Sequence, residues 1–188
     1  QFLTLAHRSG GDPLIPLGSY AGAMGMPQFM PSSAVRFAVD FDGDGRIDLR
    51  RSAADAIGSV ASYFRAHGWQ PGMPTHYPVG FDAARLDLDA LLAPDILPTF
   101  SVASFTGRGA VLEGTALSHT GPLALVELQN GEGPSTYVAG TENFYAITRY
   151  NQSSYYAMAV LDLGREVREA MAAAPEPAKA APPRSRQP

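Results

Sequence analysis

The sequence predicts an α+β fold, mainly α: a helical core interrupted by a small inserted β-containing lobe. Two long stretches, 52–67 and 154–173, place apolar residues at helical spacing. Between them lie short β-prone runs, two of them joined by Asn130-Gly131, a tight-turn dipeptide. An Asp/Gly-rich loop with EF-hand-like spacing stands directly before the first long helix.

Taken in order, residues 1–7 read as helix, with Phe2, Leu3 and Leu5 apolar. A chain that opens on Gln1 in mid-helix reads as a piece of something longer. Residues 32–39 follow Pro31 and have hydroxyls available as N-caps. In 52–67, Ala53, Ala56, Ile57, Val60, Ala61 and Phe64 fall on one side, and Gly68 stops the helix. These elements make residues 1–70 the first part of the core, with the cation loop at 40–55. Residues 71–140 form the inserted lobe, with a short helix at 82–92 and short strands at 100–105, 123–129 and 136–139. The core resumes over 141–173. Ala157, Val160, Leu161, Gly164 and Val167 suit its last helix to close packing against 52–67. Residues 174–188 hold five Pro and no large apolar side chain, which predicts a disordered tail of net charge +2 (one Glu against Lys179, Arg184 and Arg186).

With 188 residues and 45% hydrophobic content the chain can bury a real core. A net charge of −4 argues against nucleic acid as a partner. The absence of Cys excludes disulfides, thiolate-bound metals and a thiol nucleophile. No run of apolar residues is long enough for a transmembrane helix.

Three segments carry chemistry. In the loop, Asp40, Asp42 and Asp44 occupy EF-hand positions 1, 3 and 5, Gly45 the sharp turn, and Arg46 the position that offers a backbone carbonyl. Three carboxylates so close repel one another unless a hard cation lies between them, and Ca²⁺ suits so many oxygens better than Mg²⁺. Arg51 stands where the bidentate Glu belongs. Asp55 is the next carboxylate downstream, and two readings of it are open: a late calcium ligand, or half of a Ser52-x-x-Asp55 capping box. In the second segment, a glycine-rich turn leads to Gln28 among Met26, Phe29 and Met30. Its amide either finds partners in a core or lines a cleft. The third segment, 144–156, mixes four Tyr with Asn151. Such a mixture suits sugars, and it equally suits the start of a helix with Tyr packed inside.

Four stretches, 18–33 (GSYAGAMGMPQFMPSS), 39–49 (VDFDGDGRIDL), 55–69 (DAIGSVASYFRAHGW) and 143–164 (NFYAITRYNQSSYYAMAVLDLG), together resemble the C-terminal half of the B-family lytic murein transglycosylases. The resemblance implies a lysozyme-like helical core with a calcium site. It implies cleavage of the MurNAc–GlcNAc β-1,4 bond of peptidoglycan in the periplasm or cell envelope. One Glu protonates the leaving oxygen, then serves as base while the muramoyl C6 hydroxyl closes a 1,6-anhydro ring, unlike the two-carboxylate scheme of most glycosidases. By the same resemblance Gln28 contacts sugar, Ser19 lies near the acid, and Tyr63, Tyr150, Asn151 and Tyr156 line the saccharide cleft. Asp40, Asp42, Asp44, Arg46 by its carbonyl, and Asp55 match the calcium ligands. The family's acid belongs to a motif upstream of Gln1, and this chain has no Glu before Glu113. The resemblance therefore implies a segment whose partner is the missing N-terminal portion of the same enzyme and which is inactive alone. The alternative is a non-catalytic, calcium-stabilised peptidoglycan-binding module.

Overall fold

The computed structural model of the chain describes residues 1–10 and 12–173. The expected disordered tail lies outside the described residues. Three helices precede the lobe: α1 (Phe2–Ser9), α2 (Pro31–Phe37) and α3 (Ala53–Ala66). Pro31 begins α2, where a missing N–H does no harm. Ser52 caps α3, its hydroxyl accepting from the Asp55 N–H at 3.1 Å.

The buried face of α3 keeps part of the apolar stripe, with Ala56 buried and Val60 and Phe64 packed on the core, but is turned away from Ile57. Ile57 is 69% exposed, whereas Asp55, Ser59 and Tyr63 are buried. The acidic loop explains the rotation. Its backbone donors need acceptors once covered. Ser59 Oγ accepts from Val39 N–H at 3.0 Å, and the Asp55 carboxylate accepts from Phe41 and Asp48 N–H, each at 2.8 Å. Gly58 completes the fit, since a Cβ there would lie 2.5 Å from the Phe41 side chain.

The middle of the chain contains all five strands of the described residues. β1 (His76–Pro78), β5 (Gly133–Gly140) and β4 (Ala124–Asn130) form an antiparallel sheet with β5 central, while β2 (Gly80–Phe81) pairs with β3 (Ala110–Val111). The β4–β5 turn has Gly131-Glu132 at its centre, closed by the Asn130–Gly133 pair. Gly131 supplies the positive φ of 63° that this turn needs at its first central position. Two further expectations require correction. Residues 100–105 are not a strand: Phe100 makes a single bridge to Leu123, and α5 runs Val102–Gly107. The Ser101 hydroxyl caps the Ser104 N–H, and the cap outweighs the β-propensity of Val102 and Phe105. Residues 82–92 are helical only over α4 (Leu88–Leu92), because Asp87 caps a new start and Asp82–Arg85 form a turn closed by a 2.7 Å ion pair.

The chain leaves the sheet through Thr141 into α6 (Glu142–Tyr150), then turns into α7 (Ser154–Ala173). Asn143 is fully buried and fully satisfied. Its amide donates to the Gln70 and Met73 carbonyls and its oxygen accepts from Gln70 N–H at 2.7 Å. This fixes α6 to the segment that follows α3. α7 lies against α6 and β4, not chiefly against α3. Ala157 is buried there, while Val160, Leu163 and Val167 are exposed.

Candidate functional site

The glycine-rich turn folds as a miniature hairpin. Met24 pairs with both Gly18 and Phe29, and Ser19 closes its own turn, its Oγ accepting from Ala23 N–H at 3.1 Å. Gly25 must be glycine: its φ is 69°, and a Cβ would lie 2.6 Å from the Leu49 carbonyl oxygen. Gln28 follows at a φ of 49°, a left-handed conformation that costs a non-glycine residue about 1–3 kcal/mol. Its own amide steadies it, Nε2 donating to Gly25 O at 2.9 Å. Gln28 is exposed, between buried Pro27 and Phe29.

An aromatic pedestal holds this apex. The Phe29 ring lies 5.7 Å from Tyr63 and 5.8 Å from Tyr150, and the two tyrosines meet edge to face at 5.2 Å. The Tyr150 hydroxyl donates to the Pro27 carbonyl, beside Gln28, and the Tyr63 hydroxyl donates to Arg149 O at 2.5 Å. Segments more than 120 residues apart in sequence, around Gln28 and around Tyr150, are thus joined directly. Asn151 is exposed next to Tyr150, and its side chain makes no hydrogen bond among the described residues. Tyr156 is half-buried in the first turn of α7, which Ser153 caps through the Tyr156 N–H. Ser19 is exposed on the hairpin. Tyr63, at 7% exposure, offers no open ring face and supports the site from beneath.

The Tyr150 hydroxyl is pushed up from its ordinary 10.0 to about 12, first by burial, then by neighbouring Tyr156 and Tyr63. Burial also raises Tyr63, against the pull of the Arg149 charge. A raised tyrosine keeps its proton in the folded chain at pH values where the unfolded chain has lost it. Its contribution to stability is complete below pH 10 and is lost as pH climbs toward about 12. Urea midpoints should therefore fall steeply above about pH 10 in the parent and less steeply in Tyr150→Phe. Equal slopes would remove Tyr150 as the cause.

In the acidic loop, carboxylate oxygens of Asp40, Asp42 and Asp55 lie within 4.8 Å of one another. Asp40 accepts from Gly43 and Gly45 N–H, at 2.7 and 2.8 Å, which winds the loop around it. The Ser52 hydroxyl donates to Asp42 at 2.8 Å. The Asp44 carboxylate instead faces Arg46 N–H at 2.8 Å and stands outside the three-carboxylate group. Asp55 settles only half of its capping box: Ser52 N–H donates to Asp48 O, so the Asp55 carboxylate is free to face the loop. The backbone donors of Asp48, then Phe41, hold the Asp55 carboxyl below the ordinary carboxylate range, against the opposing effect of burial. A cluster of this kind, wrapped by two glycines, fits a hard cation with oxygen ligands.

Sequence reasoning passed over Phe29, which anchors the apex, and Ser59, which holds the loop. Phe29 could be read only as one more apolar neighbour of Gln28. Ser59 carried a signal, since it falls four residues after Asp55 on the same helix face.

A mainly helical core bearing this exposed amide apex, its tyrosine support and an adjoining acidic loop has a lysozyme-like architecture. The chain belongs to the family described as Transglycosylase SLT domain, whose model matches residues 1–165. It is 43% identical over 167 residues to the membrane-bound lytic murein transglycosylase B of Escherichia coli, covering 88% of this chain and 44% of that protein. The structure superposes with a TM-score of 0.80 on the soluble lytic transglycosylase SltB1 of Pseudomonas aeruginosa, at 42% identity, over 92% of this chain and 56% of that one. With E. coli Slt35 in complex with calcium the TM-score is 0.77, at 42% identity, covering 91% and 52%. The chain thus spans about half the length of the relatives it matches. No helix among the described residues is long and apolar enough to cross a membrane.

Proposed function

We propose that this chain forms one wall of the glycan-strand cleft of a peptidoglycan lytic transglycosylase of the bacterial envelope, acting in the periplasm. The strand of alternating MurNAc and GlcNAc is cleaved at the β-1,4 bond to leave 1,6-anhydro-MurNAc ends. One observation carries the reading: Gln28 is exposed at a strained φ of 49°, directly after the Pro27 carbonyl that the Tyr150 hydroxyl holds, and Tyr150 adjoins the unpartnered amide of Asn151. Strain of this kind persists where the surrounding structure enforces it, as at binding sites. The amides of Gln28 and Asn151 suit the acetamido groups of both sugars. Tyr156 and the open edge of Tyr150 offer apolar surface to the ring faces. Ser19 lies on the same hairpin, and by the family resemblance it stands near the acid. Tyr63 holds Tyr150 and the backbone of Arg149 in place. The general acid comes from outside these residues.

Ca²⁺ is proposed to sit among Asp40, Asp42 and Asp55. The Arg46 carbonyl completes the shell, with Asp44 once it turns from the Arg46 N–H. The role is structural: Asp55 belongs to α3, and about two helical turns later the same helix carries Tyr63.

Replacing Asn151 by Ala should weaken chitooligosaccharide binding by about 1–3 kcal/mol. The melting temperature should not change, because the exposed amide holds nothing in the fold. Isothermal titration beside a thermal melt measures both. Unchanged affinity, or a loss of stability matching the loss of binding, would contradict the saccharide role.

A further inference from the structure

Gln28 keeps its left-handed φ of 49° because neighbouring groups enforce it. Three fastenings act on the turn Gly25–Gln28. Gly25 O accepts from both nitrogens of Gln28, the backbone N–H at 3.1 Å and Nε2 at 2.9 Å. The Tyr150 hydroxyl donates to Pro27 O. The third fastening comes from the acidic loop: Met26 N–H donates to Leu49 O at 2.8 Å. Leu49 crowds the turn, since a Cβ on Gly25 would lie 2.6 Å from its carbonyl oxygen and 3.1 Å from its Cβ. The half-buried Leu49 side chain packs on the cluster of Phe29, Ala34 and Tyr63, as Tyr150 does.

The same stretch of loop is tied to the carboxylate cluster. Asp48, one residue before Leu49, donates its N–H to the Asp55 carboxylate at 2.8 Å. The Asp48 carbonyl accepts from Ser52 N–H at 3.0 Å, and the Asp48 carboxylate accepts from Arg50 and Arg51 N–H, each at 3.0 Å. Residues 48–52 therefore form a closed turn. Only Asp48 and Leu49 separate the bond to Asp55 from the bond to Met26.

We propose that Leu49 is a positioning residue that couples calcium to the glycan site. Calcium in the acidic loop holds Leu49 against Met26, and Leu49 holds Gln28 in its saccharide-binding conformation. The coupling rests on the calcium and saccharide sites proposed above and adds the regulation of one by the other.

A ligand shifts an equilibrium only by its differential affinity for two states. Here the closed loop gathers the Asp40, Asp42 and Asp55 oxygens within 4.8 Å, and an opened loop does not. Calcium therefore favours the closed loop, whereas without it the three charges repel and drive the loop open. Of the three fastenings on Gln28, the bond to Leu49 is the one that opening breaks, because the other two do not involve the loop. Strain supplies the second state at the glycan site, since a residue freed from a left-handed φ relaxes out of it.

The test titrates chitotetraose calorimetrically into the whole chain, in millimolar CaCl₂ and in EDTA, at a temperature where the chain is folded in both. Removing calcium should weaken chitotetraose about tenfold, within the usual range of coupling between two sites. Saturating chitotetraose should tighten calcium by the same factor, because such coupling is reciprocal. Leu49→Ala should still bind each ligand yet lose most of that factor, a readout that a purely structural role would not move. Amide chemical shifts of the parent give an independent measurement. Calcium alone should shift the Met26 and Gln28 amides together with those of 40–50. Chitotetraose bound equally tightly with and without calcium, or calcium that leaves 25–28 unshifted, overturns the coupling while the saccharide reading stands. The full factor retained in Leu49→Ala moves the link to α3 and Tyr63 and overturns the role of Leu49. Chitotetraose that binds in neither condition and shifts neither Gln28 nor Asn151 refutes the saccharide reading, and the coupling with it.

Discussion

Millimolar Ca²⁺ should raise the melting temperature of this chain by about 5–10 °C, and EDTA should reverse the rise. A ligand at a hundredfold excess over its Kd stabilises by about 2.7 kcal/mol. In a domain of this size each kcal/mol moves the midpoint by about 2–4 °C. The structural basis is the set of Asp40, Asp42 and Asp55 oxygens within 4.8 Å. Without a cation these charges oppose the loop's closure, and with one they close it. Asp55→Asn should remove most of the calcium response and also lower the calcium-free midpoint, since that carboxylate accepts from both Phe41 and Asp48 N–H. Ser52→Ala should cost about 1 kcal/mol as a lost cap yet retain most of the calcium shift. A midpoint unmoved by calcium in the parent would refute the site. A full calcium shift in Asp55→Asn would make Asp55 only a holder of backbone.

The loop and the apex were legible because their signals are local. Alternating aspartates closed by Gly45 describe a cation loop whatever surrounds them, and glycines crowded before Gln28 announce a tight turn. What the rest of the chain decides was not legible. Tyr63 gave no sign that its hydroxyl would reach Arg149, 86 residues away, and so leave its ring beneath the site. Ile57 is exposed against expectation because α3 turns Asp55 and Ser59 toward a loop full of backbone donors, and a hydrophobic pattern does not register such donors. The misread strand at 100–105 shows the same limit at short range. Val102 and Phe105 favour a strand, and a single hydroxyl at Ser101 favours a helix. Sequence statistics weigh the two side chains, whereas the folded chain weighs the cap together with the burial of Phe105.

Given purified peptidoglycan, these 188 residues alone should release no 1,6-anhydromuropeptides above background, at least about 10²–10⁴-fold below an intact relative, the contribution of one positioned acid or base. No Glu among the described residues stands where the acid is needed. Glu113 precedes a short 3₁₀ turn, Glu127 is bonded to Tyr137, and Glu132 occupies the β4–β5 turn. Glu166 and Glu169 stand exposed far along α7, and Glu176 lies outside the described residues. Glu142 is the nearest rival, since α6 carries both it and Tyr150. The two stand at opposite ends of that helix, about 12 Å apart along its axis at 1.5 Å per residue, and Glu142 accepts from the Gln70 amide at 3.3 Å. A general acid must come within hydrogen-bond reach of the oxygen it protonates. A sugar held at Gln28 and Asn151 is out of that reach from Glu142. Chromatography of the soluble muropeptides measures the outcome, with an intact lytic transglycosylase as the positive control. Anhydro products formed at a comparable rate would refute the prediction. Glu142→Gln, which should leave oligosaccharide binding unchanged, would then show whether this helix start supplies the proton after all.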